Sequence, residues 1–156
     1  MNKKIILFLV FTLLLGCGFT PMLKDFDLSA MNVQKINYSG KSEIIYLLKT
    51  YLNLKEKENP KGMIVNLNVS ESIATSTKNA SGIVVEEDLT LSVGIKILDS
   101  EKRILLSDSV SDSRRIAVTS NLSSDEKTKR NERRNLLQDL SQKIKFKLQL
   151  IAKRQQ

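Results

Sequence analysis

Apolar and polar residues follow two different periods along this chain, and these periods divide it into six elements. Alternation with a period of two predicts four strands, at residues 31–38, 63–70, 83–97 and 103–118. Apolar residues three and four positions apart predict two amphipathic helices, at residues 43–54 and 123–152. The order β-α-β-β-β-α predicts an α+β fold, a two-layer sandwich of two helices packed on a mainly antiparallel four-stranded sheet.

The third strand has the most regular alternation in the chain. Apolar side chains from Ile83 to Ile97 share one face, interrupted only by Glu87, and polar side chains occupy the other face. This pattern is typical of an antiparallel sheet with one covered and one solvated face. Residues 71–82, rich in Ser, Thr, Asn and Ala, predict the polar outer part of a long hairpin, and residues 99–102 predict a tight turn.

The last strand and the last helix each combine an apolar part with a polar part. In the strand, Asp108 and Asp112 share a face with apolar residues, so we expect its far half to reach a polar partner or water. The capping box Ser123-x-x-Glu126 predicts the start of the helix, and residues 127–135 contain no apolar side chain. We therefore expect only the second part of this helix to pack on the core.

The N-terminal stretch is organised like a bacterial lipoprotein signal. Two lysines precede the apolar run Ile5–Leu15, which is shorter than the about 20 residues that a bilayer span needs. The run leads into Leu14-Leu15-Gly16-Cys17, which resembles a lipobox, where the cysteine thiol is lipidated and the chain is cut just before it. We expect removal of residues 1–16, lipidation of Cys17, a tether over residues 17–30 and a folded domain over residues 31–156. The alternative is an uncleaved anchor that ends in a buried thiol.

Composition narrows the chemistry of the mature chain. After removal of residues 1–16, 140 residues with a net charge of +6 remain, because Lys3 and Lys4 are the charges lost from a total of +8. A basic domain of this size favours anionic partners, and no pattern of interleaved aromatic and basic residues points to nucleic acid. The chain has no histidine, and lipidation would occupy its one cysteine. We therefore expect no enzymatic activity, no catalytic residue, no cofactor and no metal site of the Cys/His type.

The segment around the cysteine carries a family resemblance. The run Leu14-Leu15-Gly16-Cys17-Gly18-Phe19-Thr20-Pro21-Met22-Leu23 resembles the start of the LPS-assembly lipoprotein LptE family. The order β-α-β-β-β-α is similar to that of the family, and so is the hairpin pattern from Val93 to Val110. The chain departs from the family pattern at Gly94, where an aromatic residue is common, and in a hairpin turn that lacks the usual glycine.

Membership of the LptE family would imply an outer-membrane lipoprotein, anchored by its acyl chains on the periplasmic side. It would form a one-to-one complex with the β-barrel translocon LptD, act as a plug inside that barrel, assist its assembly and help to deliver lipopolysaccharide to the cell surface. Gly18 fits this localisation, because it is not the aspartate that retains some lipoproteins in the inner membrane.

Two alternatives to the LptE reading stay open. One is a generic envelope lipoprotein that acts as a lipid-binding or scaffold module, which predicts an apolar cavity between the helices and the sheet. The other is a hydrolase, which ranks lowest because the sequence offers no Ser-Lys or paired-carboxylate arrangement.

Two groups of residues are candidates for contacts with these partners. Paired guanidinium donors bind phosphate, so the basic residues at the end of the last strand and the start of the last helix are predicted to contact lipopolysaccharide. The alternative is that these residues form a solvated helix face. This group comprises Arg114, Arg115, Lys127, Lys129, Arg130, Arg133 and Arg134. The polar hairpin is predicted to hydrogen-bond to the barrel, and a tip without a partner is the alternative. Its candidate residues are Ser72, Thr75, Thr77 and Asn79.

Overall fold

The computed structural model of the chain describes Leu28, residues 31–119 and residues 121–154. Its elements are β1 (Val33–Ser39), α1 (Ser42–Leu52), β2 (Met63–Lys78), β3 (Val84–Leu98), β4 (Ile104–Ala117) and α2 (Leu122–Arg154). The predicted signal peptide and the lipidation site Cys17 lie outside the described residues, as does the predicted tether apart from Leu28. Neither of the two helices described is long and apolar enough to cross a membrane.

The four strands form one mixed sheet in the order β1-β2-β3-β4. β1 runs parallel to β2, and the other two neighbouring pairs are antiparallel. Parallel neighbours need a crossover connection, which α1 provides between β1 and β2. The segment after α1 covers the outer edge of β1. There Lys57 N–H donates to the Val33 carbonyl, and Ile36 N–H donates to the Glu56 carboxylate, both at 2.7 Å.

The two helices and the sheet bury one contiguous apolar core between them. Every second residue is buried in β2 from Met63 to Val69 and in β3 from Leu89 to Ile97, whereas β1 contributes Val33 and β4 contributes Val110 and Ile116. α1 contributes side chains four residues apart, which are Ile44, Leu48 and Leu52. α2 contributes Leu136, Leu137, Leu140, Ile144, Leu148 and Ile151. The predicted α+β sandwich of two helices on a mainly antiparallel four-stranded sheet is confirmed, with a single parallel pair at one edge.

Gly40, between β1 and α1, is required by this packing. Its φ of +131° is one that residues with a side chain rarely adopt. A Cβ atom at this position would lie 2.4 Å from the Val69 carbonyl oxygen. The turn from β1 into α1 therefore passes so close to β2 that only glycine fits.

α2 begins at Leu122, so the prediction of a capping box at Ser123 was wrong. Asn121 precedes the helix, and its side-chain oxygen accepts a hydrogen bond from the Ser124 N–H at 3.1 Å, as an N-cap residue does. Asp125 is buried and accepts hydrogen bonds from the N–H and hydroxyl of Thr119 at 2.8–3.1 Å, which fixes the connection from β4. The buried apolar residues of α2 start at Leu136, which confirms the predicted division of the helix.

The β2–β3 hairpin extends well beyond the apolar core. β2 continues through the predicted polar segment to Lys78, because backbone pairing with β3 does not require apolar side chains. The turn is closed by Asn79, whose side-chain oxygen accepts hydrogen bonds from the N–H groups of Ser81 and Ile83 at 3.0 and 2.9 Å. The predicted long hairpin is therefore present, with longer strands and a shorter turn than the sequence pattern indicates.

β4 is the other outermost strand, and two of its N–H groups are covered by its own side chains. Ser109 N–H donates to the Asp108 carboxylate at 2.7 Å, and Ser113 N–H donates to the Asp112 carboxylate at 2.9 Å. These N–H groups point away from β3, where a further strand would otherwise pair.

Candidate functional site

Arg114 and Arg115, the strand part of the predicted basic group, point to opposite faces of the sheet. Successive residues of a strand alternate between faces, so Arg114 faces α2 and pairs with Asp139 at 2.9 Å. Arg115 lies on the outer face and pairs with Asp88 of β3 at 3.1 Å, and this hydrogen bond raises the pKa of Arg115. The two guanidinium groups are not brought together. Strand alternation is the signal in the sequence that reveals this.

Lys129 accounts for the polar interruption on the apolar face of β3. Its ammonium group reaches from α2 to the Glu87 carboxylate at 2.8 Å. This hydrogen bond raises the pKa of Lys129. Glu87 stands where the strand leaves the apolar core and faces the polar first half of α2. The alternation therefore breaks at a position that pairs with a charge instead of an apolar side chain.

Arg133 belongs to a charge cluster that joins α2, β2 and the start of α1. The Glu71 carboxylate, with its side chain only 4% exposed, accepts hydrogen bonds from Arg133 and from Lys41, the latter at 3.0 Å. The Glu43 carboxylate lies 3.9 Å from the Arg133 guanidinium. Burial raises the pKa of the Glu71 carboxyl, but the hydrogen bonds from Arg133 and Lys41 outweigh burial and hold that pKa below its usual value. Glu71 is therefore charged at neutral pH and compensated within the fold.

The other three basic residues of the predicted group lie together on one side of α2. Lys127, Arg130 and Arg134 are three and four positions apart, a spacing that aligns side chains on a helix. All three are exposed. The ion pairs found among residues 31–119 and 121–154 involve Arg114, Arg115 and other members of the group but none of these three. They are the members of the group best placed to bind an external anion.

The four candidate hairpin residues do not share one face. Ser72 pairs in register with Thr90 on the outer face, whereas Thr75 pairs with Glu87 on the face towards α2. Thr77 follows an irregularity in the register, and its hydroxyl donates to the Glu86 carboxylate at 2.6 Å. Asn79 uses its side chain to close the turn. Ser72 and Thr75 are exposed, without a side-chain hydrogen bond in the described part of the chain.

A polar seam between β4 and α2 was only partly anticipated by the sequence. Lys147 pairs with Asp108, and Lys143 pairs with Asp112 at 2.7 Å. The expected polar partner of this strand is therefore the final helix of the same chain. Beside the seam lies an open groove of about 580 Å³ whose apolar lining includes the half-exposed Phe146, a feature that the sequence analysis missed.

The described residues are arranged for binding and for internal ion pairing. Within them, no group of three or more Cys, Asp or Glu residues could hold a metal ion. Near the basic group, Asp88, Glu87 and Glu71 each contact a lysine or an arginine. Exposed cations on α2, a polar hairpin and an apolar groove are among the surfaces available to partners.

The chain matches no protein-family model and no curated protein sequence. Its fold matches solved structures. The rare lipoprotein B of Shewanella oneidensis aligns with a TM-score of 0.59 and 15% identity, over 78% of this chain and 96% of that chain. A minor lipoprotein from Acinetobacter baumannii aligns at 0.55 and 16% identity, over 78% and 94%. A lipoprotein B from Nitrosomonas europaea aligns at 0.55 and 16% identity, over 78% and 88%. At these identities the likeness shows a shared fold.

Proposed function

We propose that this chain is an outer-membrane lipoprotein of the LptE type, anchored through Cys17 and facing the periplasm. In this proposal it forms a one-to-one complex with the LptD β-barrel, plugs the barrel and assists lipopolysaccharide transport to the cell surface. One combination carries the proposal. A lipobox at Cys17 precedes a domain whose fold covers nearly the whole length of structures described as lipoproteins.

The packing of the domain suits a plug. A plug must keep its shape inside a wider barrel and present polar groups to the polar interior of that barrel. Here the β2–β3 hairpin is held to α2 at the margin of the core by the pairs Glu71–Arg133 and Glu87–Lys129. The hairpin therefore projects as a supported polar arm, which fits contact with barrel strands or loops.

The direct test is recovery of the complex from membranes. Full-length chain carrying a C-terminal tag is purified from detergent-solubilised envelopes, with a photo-crosslinker placed at Ser72 or Thr75. The expected result is a large β-barrel protein in a one-to-one ratio, crosslinked to the hairpin. Recovery of the lipoprotein alone would contradict the proposal. In the same cells, Cys17→Ala is expected to abolish incorporation of labelled palmitate, and palmitate on the variant would remove the anchoring part of the proposal.

Lipopolysaccharide contact is proposed for the exposed set Lys127, Arg130 and Arg134, with Arg114 and Arg115 as further candidates. Guanidinium and ammonium groups without a carboxylate partner bind phosphate without first breaking an internal pair. Arg114 and Arg115 each have such a partner, so their contribution is expected to be the smaller one. A solvated helix face that binds nothing is the competing explanation.

Charge reversal separates these two explanations. Lys127→Glu, Arg130→Glu and Arg134→Glu in one variant are expected to weaken lipopolysaccharide binding at least about tenfold, because several charge-assisted hydrogen bonds are lost together. The matched control reverses Lys55, Lys57 and Lys61, three exposed lysines after α1, and so makes the same change in net charge. Equal loss in both variants would indicate unspecific attraction, and no loss in either would leave the helix face merely solvated.

The groove beside Phe146 supports a second candidate function. An exposed apolar groove of about 580 Å³ is a reasonable size for an acyl chain, as in a lipid-binding envelope module. Lipid extracted from purified full-length protein would support this function if Phe146→Lys removed it. Protein that carries no lipid before substitution would count against it.

A further inference from the structure

The face of the sheet turned away from the helices carries small, uncharged side chains on three neighbouring strands. Every outward residue is serine in Ser107–Ser113 of β4, asparagine or serine in Asn66–Ser72 of β2, and Thr, Ser or Gly in Thr90–Gly94 of β3. Lys96 is the one charged side chain in the four rows from Asn66 to Ser72, and the next row towards the hairpin tip carries the Asp88–Arg115 ion pair. In a chain with 27% charged residues, this face of roughly 20 Å by 10–15 Å carries a single charged side chain. Exposure to solvent alone would not select for so few charges.

Gly94, at the centre of this face, has no role in the fold that requires glycine. Unlike Gly40, it does not have a positive φ, and a Cβ atom there would meet only Asn68 atoms at 3.8 Å, which is ordinary contact. Glycine within a strand weakens the sheet and often marks a place where another molecule approaches closely. Gly94 lines an open recess of about 350 Å³, together with Asn68, Ser107 and Lys96.

Side chains on this face are already ordered by hydrogen bonds across the strands. Asn37 donates to Asn66 at 2.8 Å, and Ser92 donates to Ser111 at 2.8 Å. Small, fixed side chains lose little conformational entropy when a partner covers them. A partner that covers this face is therefore expected to lose little free energy to the ordering of its side chains.

We infer that this outer face, centred on the recess at Gly94, lies against the polar inner wall of the partner barrel, with one projecting side chain of the wall seated in the recess. This inference rests on the proposed function. The interior wall of a membrane β-barrel is polar, and a neutral hydrogen-bonding face matches neutral stretches of such a wall. The described rows of this face offer no apolar patch for an acyl chain, no cluster of cations for phosphates and no aromatic ring for a sugar to stack on.

The first test places a charge of either sign on the face. Ser109, the direct neighbour of Gly94 on β4, is changed to Glu and, separately, to Lys in the full-length chain. Because a neutral wall offers no partner for a charge of either sign, both variants are expected to compete with wild type for the barrel at least about tenfold less well. The matched controls are Thr50→Glu and Thr50→Lys on the exposed side of α1, which are expected to compete normally.

The second test uses Gly94 itself. Gly94→Ala is expected to raise the melting temperature of the full-length protein in detergent by about 2–4 °C, because it removes the entropic cost of glycine in a strand. The same substitution is expected to weaken competition for the barrel, and Gly94→Phe more strongly. A lower melting temperature for Gly94→Ala would show that the glycine serves the fold and would overturn the inference.

The remaining outcomes separate the inference from the function on which it rests. If wild type recovers the barrel and the Ser109 variants compete normally, another face meets the wall and the inference fails while the proposed function stands. If wild type recovers no barrel, the proposed function fails and the inference with it. Weaker binding for Ser109→Glu but stronger binding for Ser109→Lys would indicate an acidic partner surface and overturn the neutral wall. Binding of soluble core saccharide at Ser109 would instead assign the face to carbohydrate.

Discussion

The two halves of the β2–β3 hairpin use the same backbone pairing but different side-chain interactions. In the half near the core, Leu67, Val93 and Ile95 are buried against the helices. In the distal half, the same face of the strands carries Glu71 and Glu87, which pair with cations of α2. Apolar burial contributes about 1.5–3 kcal/mol for a large side chain at any pH, whereas charge pairs contribute less and depend on pH and salt. The half near the core, here called the base, is thus stabilised by burial, whereas the distal half, the arm, is stabilised by charge pairs that depend on pH and salt.

The largest effect is expected in the apolar core where α2 packs on the base of the hairpin. Leu140→Ala removes a fully buried side chain of α2 and is expected to lower the free energy of unfolding by about 2–5 kcal/mol, through lost burial and a residual cavity. Equilibrium unfolding in urea measures this loss, which is expected to be independent of pH and salt. A loss of stability that varied with ionic strength would contradict this distinction between apolar burial and charge pairing.

A smaller loss of stability is expected when the best-buried ion pair of the arm, Glu71–Arg133, is broken. Arg133→Met leaves the Glu71 carboxylate, which is 4% exposed, with Lys41 as its remaining cation partner. We expect a cost of about 1–3 kcal/mol, below that of a fully buried pair because Arg133 still borders solvent. The double variant with Glu71→Met is expected to recover part of this loss, since no uncompensated charge is left. A double variant less stable than Arg133→Met would contradict this account.

The pH dependence of the arm follows from the direction of the Glu71 shift. Its pKa is lower in the folded state than its ordinary value of 4.5, so the contribution of the charged carboxylate is complete above that pH and is lost as pH falls through the folded pKa. Glu71→Gln is therefore expected to be about 1 kcal/mol less stable than wild type at pH 7, with a difference that shrinks below pH 4.5. Urea unfolding between pH 7 and pH 3 measures this, and Leu140→Ala, whose deficit should stay constant, is the control.

The smallest effect is expected at the exposed seam between β4 and α2. Lys143 and Asp112 pair at 2.7 Å, but both side chains are partly solvated. Lys143→Met is expected to cost less than about 1 kcal/mol, and 1 M salt should remove most of the difference from wild type. A larger, salt-resistant loss would place this seam with the buried cluster at Glu71.

Most of the fold could be predicted because burial imposes its period on the sequence. The alternation from Leu89 to Ile97 and the helical spacing from Leu137 to Ile151 report directly which faces are covered. Boundaries were less predictable. The capping box at Ser123 fits the local rule, yet Asn121, two residues earlier, caps the helix, because both polar side chains can fill that role and the local sequence does not decide between them. The length of β2 to Lys78 depends on backbone pairing, which side-chain polarity does not report.

The candidate site was predictable in composition but not in arrangement. The sequence shows that basic residues are concentrated around Arg114 and the start of α2, but not which of them find carboxylates far along the chain. Arg133 and Glu71 are 62 positions apart, and no periodic pattern connects them. Only the fold separates cations held in internal pairs from the exposed set at Lys127, Arg130 and Arg134.

The two aspartates along β4 determine how copies of this chain can meet. An open outer strand lets a sheet grow from one molecule into the next, the route by which many sheet proteins form fibres. Asp108 and Asp112 occupy two N–H groups that such growth would use, and their ion pairs with Lys147 and Lys143 of α2 hold both carboxylates in place. Two copies approaching along β4 would find these two donors already taken, which interrupts a regular ladder of hydrogen bonds between them. The sheet is therefore expected to stop at four strands even where many copies are crowded together.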